Sequence, residues 1–132
     1  MQGAMAFQKG LGCVHSLSHS LGGVDPRLHH GTLNAMFLPA VVGFNSSAES
    51  VQKDRRLERM ARAMGLTSAG DIAEAIHDMN ARLGLPKGLA EMGVELAAFG
   101  KIIEGALADH CHKTNPRIAS REDYEALLAQ SM

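Results

Sequence analysis

Residues 10–45 read GLGCVHSLSHSLGGVDPRLHHGTLNAMFLPAVVGFN, and four of the chain's seven histidines fall within them. His15 and His19 stand four residues apart in a segment of helical periodicity, so both imidazoles leave one face of the helix, a turn apart. Gly22-Gly23 and Asp25-Pro26 break that helix and turn the chain. His29-His30-Gly31 then opens the next helix and returns a third imidazole toward the first two. The spacing H-x3-H-x9-H-H-G therefore offers two or three nitrogen donors from two helices and their connection. Neutral imidazole is a borderline donor suited to zinc or ferrous iron, and ligands from separate elements fix a coordination geometry. A polar edge on an amphipathic helix would carry the same i, i+4 pair, and spacing alone leaves both readings open. Ser16 follows His15 where a zincin helix needs glutamate, and no C-x-x-C pair occurs.

Helical periodicity continues on both sides of this stretch. A first helix is expected to start almost at Met1 and to run through Leu21, with no N-cap residue before it. Gly10 and Gly12 lie inside it, which points either to a close approach by another group or to a plain weak spot. The second helix should span residues 31–44, burying Leu33, Met36, Phe37, Ala40, Val41 and Phe44, with a kink or break near Leu38 because Pro39 follows. A third, over 48–64, sets Lys53, Asp54, Arg55, Arg56, Glu58 and Arg59 against Leu57, Met60, Ala61 and Met64. Ser68 with Asp71 forms a capping-box pattern ahead of a stripe of Ile72, Ile76, Met79 and Leu83. The next helix is expected over 95–111 with Leu96, Phe99, Ile103, Ala106 and Leu107 inward. Ser120 and Asp123 then cap a last one bearing Tyr124, Leu127 and Leu128. No strand-like alternation occurs. The predicted fold is all-α, a helical bundle forming a single domain over residues 1–132.

Composition narrows the function. Aromatic residues are 4% and Trp is absent, while Met reaches eight, so the core must come from aliphatic side chains and Met packed between helices. A formal net charge of -1 without a basic stripe argues against nucleic acid. The longest apolar run, 35–44, is too short for a bilayer and is interrupted by Pro39, so no membrane partner is expected. Cys13 and Cys111 form no secreted-type framework, and no signal peptide is evident, which together predict a cytoplasmic protein. His110-Cys111-His112 places three donors in a row, but successive helical residues point about 100° apart. A structural role is expected for them, and a surface position for His77.

Three runs resemble the iron-containing (group III) alcohol dehydrogenases. They are G-x-x-H-x-x-x-H-x-L-G from Gly12, H-G-x-x-N-A-x-x-L-P from His30, and C-x-x-T-N-P-R from Cys111. The resemblance covers nearly the whole chain, but only the family's C-terminal, metal-binding helical portion, shared with dehydroquinate synthase-like proteins. It implies that His15 and His30 are metal ligands, with His29 as the alternative to His30, because the connection before His-Gly is one residue longer than in many members. His19 matches a histidine implicated in proton transfer or nicotinamide contact. The implied cofactors are a divalent metal, Fe2+ first and Zn2+ second, and NAD(P). The implied chemistry is Lewis-acid catalysis of hydride transfer between a small alcohol or aldehyde and a nicotinamide.

No residue here is a candidate for binding NAD(P), since there is no glycine-rich turn after a strand, and the family's other two metal ligands lie in a segment this chain lacks. The expectation is a portion of a longer protein, inactive without a complementary N-terminal domain, or else a homo-oligomer. A non-catalytic helical remnant that self-associates through Met5, Phe7 and Leu11 is the alternative. A maleylacetate reductase-like reading is less favoured, because those enzymes lack the metal requirement that the His15 and His30-Gly31 pattern suggests.

Overall fold

A computed structural model of the chain describes residue 5 and residues 8–132. Among the described residues, seven α-helices are bounded as α1 (Cys13–Val24), α2 (His30–Asn45), α3 (Glu49–Lys53), α4 (Arg56–Ala63), α5 (Ile72–Arg82), α6 (Phe99–Ala108) and α7 (Arg121–Gln130). Short 3-10 turns stand at Ala69–Asp71, Leu89–Met92, Leu96–Ala98 and His110–Thr114. The described residues contain no strand, so the all-α expectation holds. None of the described helices is long and apolar enough to cross a membrane.

The central helix is α1, which packs against both α2 and α6, while α7 closes on α2 and α6. Leu17 and Leu21 of α1, Leu33 and Phe37 of α2, Ile102 of α6 and Tyr124, Leu127 and Leu128 of α7 meet in one core with Leu89. A second, smaller cluster joins Ala61 to Ile72 and Ile76, under Leu38 and Val42 of α2.

The start of α1 departs from the sequence reading. The expected residues Met1 to Ala4, Ala6 and Phe7 lie outside the described set, but Gly10 and Gly12 take φ of 95° and 72°, so the helix begins at Cys13. Its cap comes from the far end of the chain. Asn115 Oδ1 accepts from Cys13 N–H at 3.0 Å, and Thr114 Oγ1 accepts from Gly12 N–H at 3.4 Å. A Cβ at Gly12 would collide with Asn115 Oδ1 and one at Gly10 with Thr114, so both glycines mark a close approach. Asn115 and Asn45 also exchange hydrogen bonds, which ties the end of α2 to the same clamp.

Helix α2 runs through Pro39 without the expected break. A proline at 39 removes the N–H that Ala35 C=O would have accepted. Asn80 Nδ2 from α5 donates to that carbonyl at 3.0 Å, and Asn80 is itself only 6% exposed.

Other boundaries also shift. The third expected helix is two, because Arg55 adopts a left-handed backbone with φ of 49° between α3 and α4. Ser68 caps only the 3-10 turn, accepting from Gly70 N–H, and Asp71 returns no bond. Leu96 and Leu83 are each 67% exposed and Met79 and Met64 about 40%, so they lie off the core that the stripes suggested. The box at Ser120 and Asp123 forms as read.

Candidate functional site

Helix α1 presents His15 and His19 one turn apart, and the turn at 25–29 brings His30 at the start of α2 against them. The ring centroids form a triangle of 5.7 Å (His15 to His19), 5.4 Å (His15 to His30) and 5.3 Å (His19 to His30). Burial, with His30 and His19 as neighbours, pushes the His15 pKa down and favours its neutral ring.

Asn34, one turn into α2, fixes the aim of two of these rings. Its Nδ2 lies 3.1 Å from His30 Nε2 and 3.4 Å from His15 Nε2. An amide nitrogen can only donate, so in this arrangement both Nε2 atoms face it as acceptors. His30 Nδ1 faces Ser18 Oγ at 3.4 Å, whereas His15 Nδ1 and Asn34 Oδ1 are buried without a protein partner. The Nε2 atoms of His15 and His30 thus point at a single small region. Imidazole nitrogens aimed at one point are the presentation a divalent cation takes, and the Asn34 amide occupies that point. The residues present fit a metal.

His29 does not join them. It is the N-cap residue of α2, exposed, with Nδ1 turned toward Thr32 Oγ1 at 3.5 Å.

His19 is held from the opposite end of the chain. Helix α6 stops at Ala108, short of the expected Cys111, because Asp109 takes an extended backbone with ψ of 142° and a 3-10 turn restarts at His110. Asp109 caps that turn by accepting from Cys111 N–H at 2.8 Å, and its Oδ2 meets His19 Nδ1 at 3.1 Å. Burial by itself would raise the Asp109 carboxyl, but these bonds from Cys111 and His19 outweigh it and hold the pKa below the usual carboxylate value.

The break also resolves the His110-Cys111-His112 run. His112 Nδ1 bonds Tyr124 OH at 3.0 Å in a buried chain that continues to Ser16 at 2.8 Å, a structural use. His110 instead stacks on His19 with centroids 5.9 Å apart. His77 is exposed, as expected. Asp109 went unnoticed in the sequence, although an aspartate two residues before the C-x-x-T-N-P-R run, at the end of an apolar stripe, is a usable N-cap signal.

Residues 1–132 match the model of the Fe-containing alcohol dehydrogenase family, C-terminal. The chain is 62% identical over 136 residues to 4-hydroxybutyrate dehydrogenase of Cupriavidus necator, a match covering 100% of this chain and 36% of that protein. It is 32% identical to NAD-dependent methanol dehydrogenase of Bacillus methanolicus, again over 100% of this chain and 35% of the relative. Its fold superposes on the crystal structure of 1,3-propanediol oxidoreductase with a TM-score of 0.80 at 32% identity, covering 92% of this chain and 33% of the other. Alcohol dehydrogenase from Oenococcus oeni gives 0.81 at 28% identity with the same coverages. The chain therefore spans about a third of the length of the proteins it matches.

Proposed function

The chain belongs to the Fe-containing alcohol dehydrogenase family, whose C-terminal part it matches throughout, and from that premise we propose that it supplies the metal-binding side of an NAD(P)-dependent alcohol dehydrogenase. In this reading His15 and His30 hold a divalent cation through their Nε2 atoms, Fe2+ first and Zn2+ as the alternative. The cation, when bound, supplies Lewis-acid polarisation of a substrate hydroxyl. Ser18 faces the Nδ1 side of the His30 ring, and Asn34 holds both Nε2 atoms toward one point until a cation takes its place. His19 accepts the proton released on alcohol oxidation: Asp109 anchors its Nδ1 side, leaving Nε2 as the nitrogen for proton exchange. The relative at 62% identity favours a short hydroxy acid of the 4-hydroxybutyrate kind as substrate, oxidised to the aldehyde acid. NAD(P) would be held by a complementary N-terminal portion, such as the relatives carry outside the matched region. The two cysteines, free and buried, suit a reducing cytoplasmic setting.

The observation that carries this reading is the convergence of His15 Nε2 and His30 Nε2 on one amide nitrogen. Equilibrium dialysis of the 132-residue chain against Fe2+ under anaerobic conditions tests it, with His15→Ala and His30→Ala as comparisons. Co-expression with the N-terminal portion of the Cupriavidus necator relative, assayed for 4-hydroxybutyrate-dependent NAD(P) reduction, tests the activity. Fe2+ binding indifferent to both substitutions, together with no turnover from the assembled protein, would overturn the proposal.

A further inference from the structure

Beside the three-imidazole face lies a second group of donors of different chemistry. His19, Asp109, His110 and Cys111 each place one ligand-type atom within 4.8 Å of all the others. Several pairs are much closer. His19 Nδ1 is 3.1 Å from Asp109 Oδ2, and His110 Nε2 is 3.4 Å from Cys111 Sγ. Bonds of about 2.0–2.3 Å to a tetrahedral ion would place neighbouring ligand atoms about 3.3–3.8 Å apart. The observed pairs are close to two opposite edges of such a tetrahedron. His110, 83% exposed, is the member with the most room to adjust, while the Asp109 side chain at 15% and Cys111 at 2% are held in place.

We propose that His19, Asp109, His110 and Cys111 form a second, sulfur-containing site for a zinc-class divalent cation. The site shares His19 with the function proposed above, but neither its geometry nor its test depends on that function. Two imidazoles, one thiolate and a single carboxylate select Zn2+ and its Co2+ surrogate over Mg2+ or Ca2+, which take oxygen ligands. Thiolate and carboxylate together neutralise the ion's two charges. The Cys111 thiol proton leaves to water as the Sγ–metal bond forms. Asp109 Oδ1 keeps its bond from Cys111 N–H, so the turn that positions the ligands survives loading. The Nδ1 proton that His19 now donates to Asp109 moves to Nε2 when Nδ1 becomes a ligand. Loading this site therefore turns the free nitrogen of His19 from an acceptor into a donor.

Titration of the 132-residue chain with Co2+, followed by near-ultraviolet absorption, reads the site directly, because only a sulfur ligand gives thiolate-to-cobalt charge transfer. The expected result is a band saturating at one ion per chain, absent in Cys111→Ser and retained in the His15→Ala, His30→Ala double variant. His110→Ala, at an exposed position that does not threaten folding, should weaken Co2+ binding at least about tenfold, since even loss of an outer-shell partner costs that much. Circular dichroism of Cys111→Ser checks that its loss is local, and if that variant is unfolded the His110→Ala result decides. Co2+ binding without the band, a band that survives Cys111→Ser and so belongs to Cys13, or His110→Ala binding unchanged would overturn the proposal.

Discussion

The Asp109 carboxylate accepts a hydrogen bond from His19 Nδ1 at 3.1 Å across 90 residues of sequence. An ionised carboxylate can only accept, so the contact fixes which nitrogen of His19 carries the proton. In Asp109→Ala the ring is released and the 3-10 turn loses its cap. The His19 Nδ1 proton should exchange faster with water in nuclear magnetic resonance spectra than it does while bonded to Asp109, and urea unfolding should show a loss of about 1 kcal/mol, the usual size of a lost cap. A sharp Nδ1 proton signal persisting in the variant would show that some other group orients the ring.

Asn80 and Pro39 should be coupled energetically. Asn80→Ala leaves the part-buried Ala35 carbonyl without its donor, at a cost of about 1 kcal/mol. Pro39→Ala restores a backbone N–H to that carbonyl, so Asn80→Ala should cost much less in its presence. Denaturant melts of the four proteins complete the cycle, and strict additivity would refute the compensation.

His29 and His30 are adjacent but face different surroundings. His30→Ala should reduce divalent-metal binding to the three-imidazole face at least about tenfold, whereas His29→Ala, changing an exposed ring beside Thr32, should leave it within about twofold. Isothermal titration of both variants against Fe2+ or Zn2+ separates them. Equal losses would place the connection differently in solution.

Alkaline pH should destabilise the fold through Cys13. Burial is the main cause that raises its thiol from 9.0 to about 11. A folded pKa above the unfolded one means that the contribution is complete below pH 9 and is lost progressively as pH rises toward 11. The melting temperature should fall across that window, and less steeply in Cys13→Ala. Parallel curves would show that the thiol ionises as freely in the folded chain as in the unfolded one.

What the sequence disclosed, and what it hid, follows the separation between partners. The approach of His15 and His19 to one of the pair His29-His30 was readable because an i, i+4 pair, a Gly-Gly break and an Asp-Pro turn are local signals, whereas the preference for His30 came from the family resemblance. The box at Ser120 and Asp123 is likewise complete within four residues. Asn115 capping α1, Asn80 serving Ala35 and Asp109 holding His19 act over 102, 45 and 90 residues, where no local pattern speaks. For the same reason Pro39 suggested a break that a distant amide prevents. Leu96 and Leu83 mislead differently: periodicity marks a stripe, but not how far along it the neighbouring helices extend.

The clamp at the beginning of α1 has a consequence for the order of events during synthesis. Cys13 N–H waits for an acceptor made 102 residues later, roughly 5–20 s at ordinary ribosomal speed. Until then the histidine-bearing helix has neither its terminal partner nor α6 to lie against, and closing so long a loop has an entropic cost that only the complete core offsets. Helix α1, although made before α6 and α7, is therefore among the last of these helices to become rigid, and the imidazole face takes shape only after the Thr114-Asn115 turn has emerged.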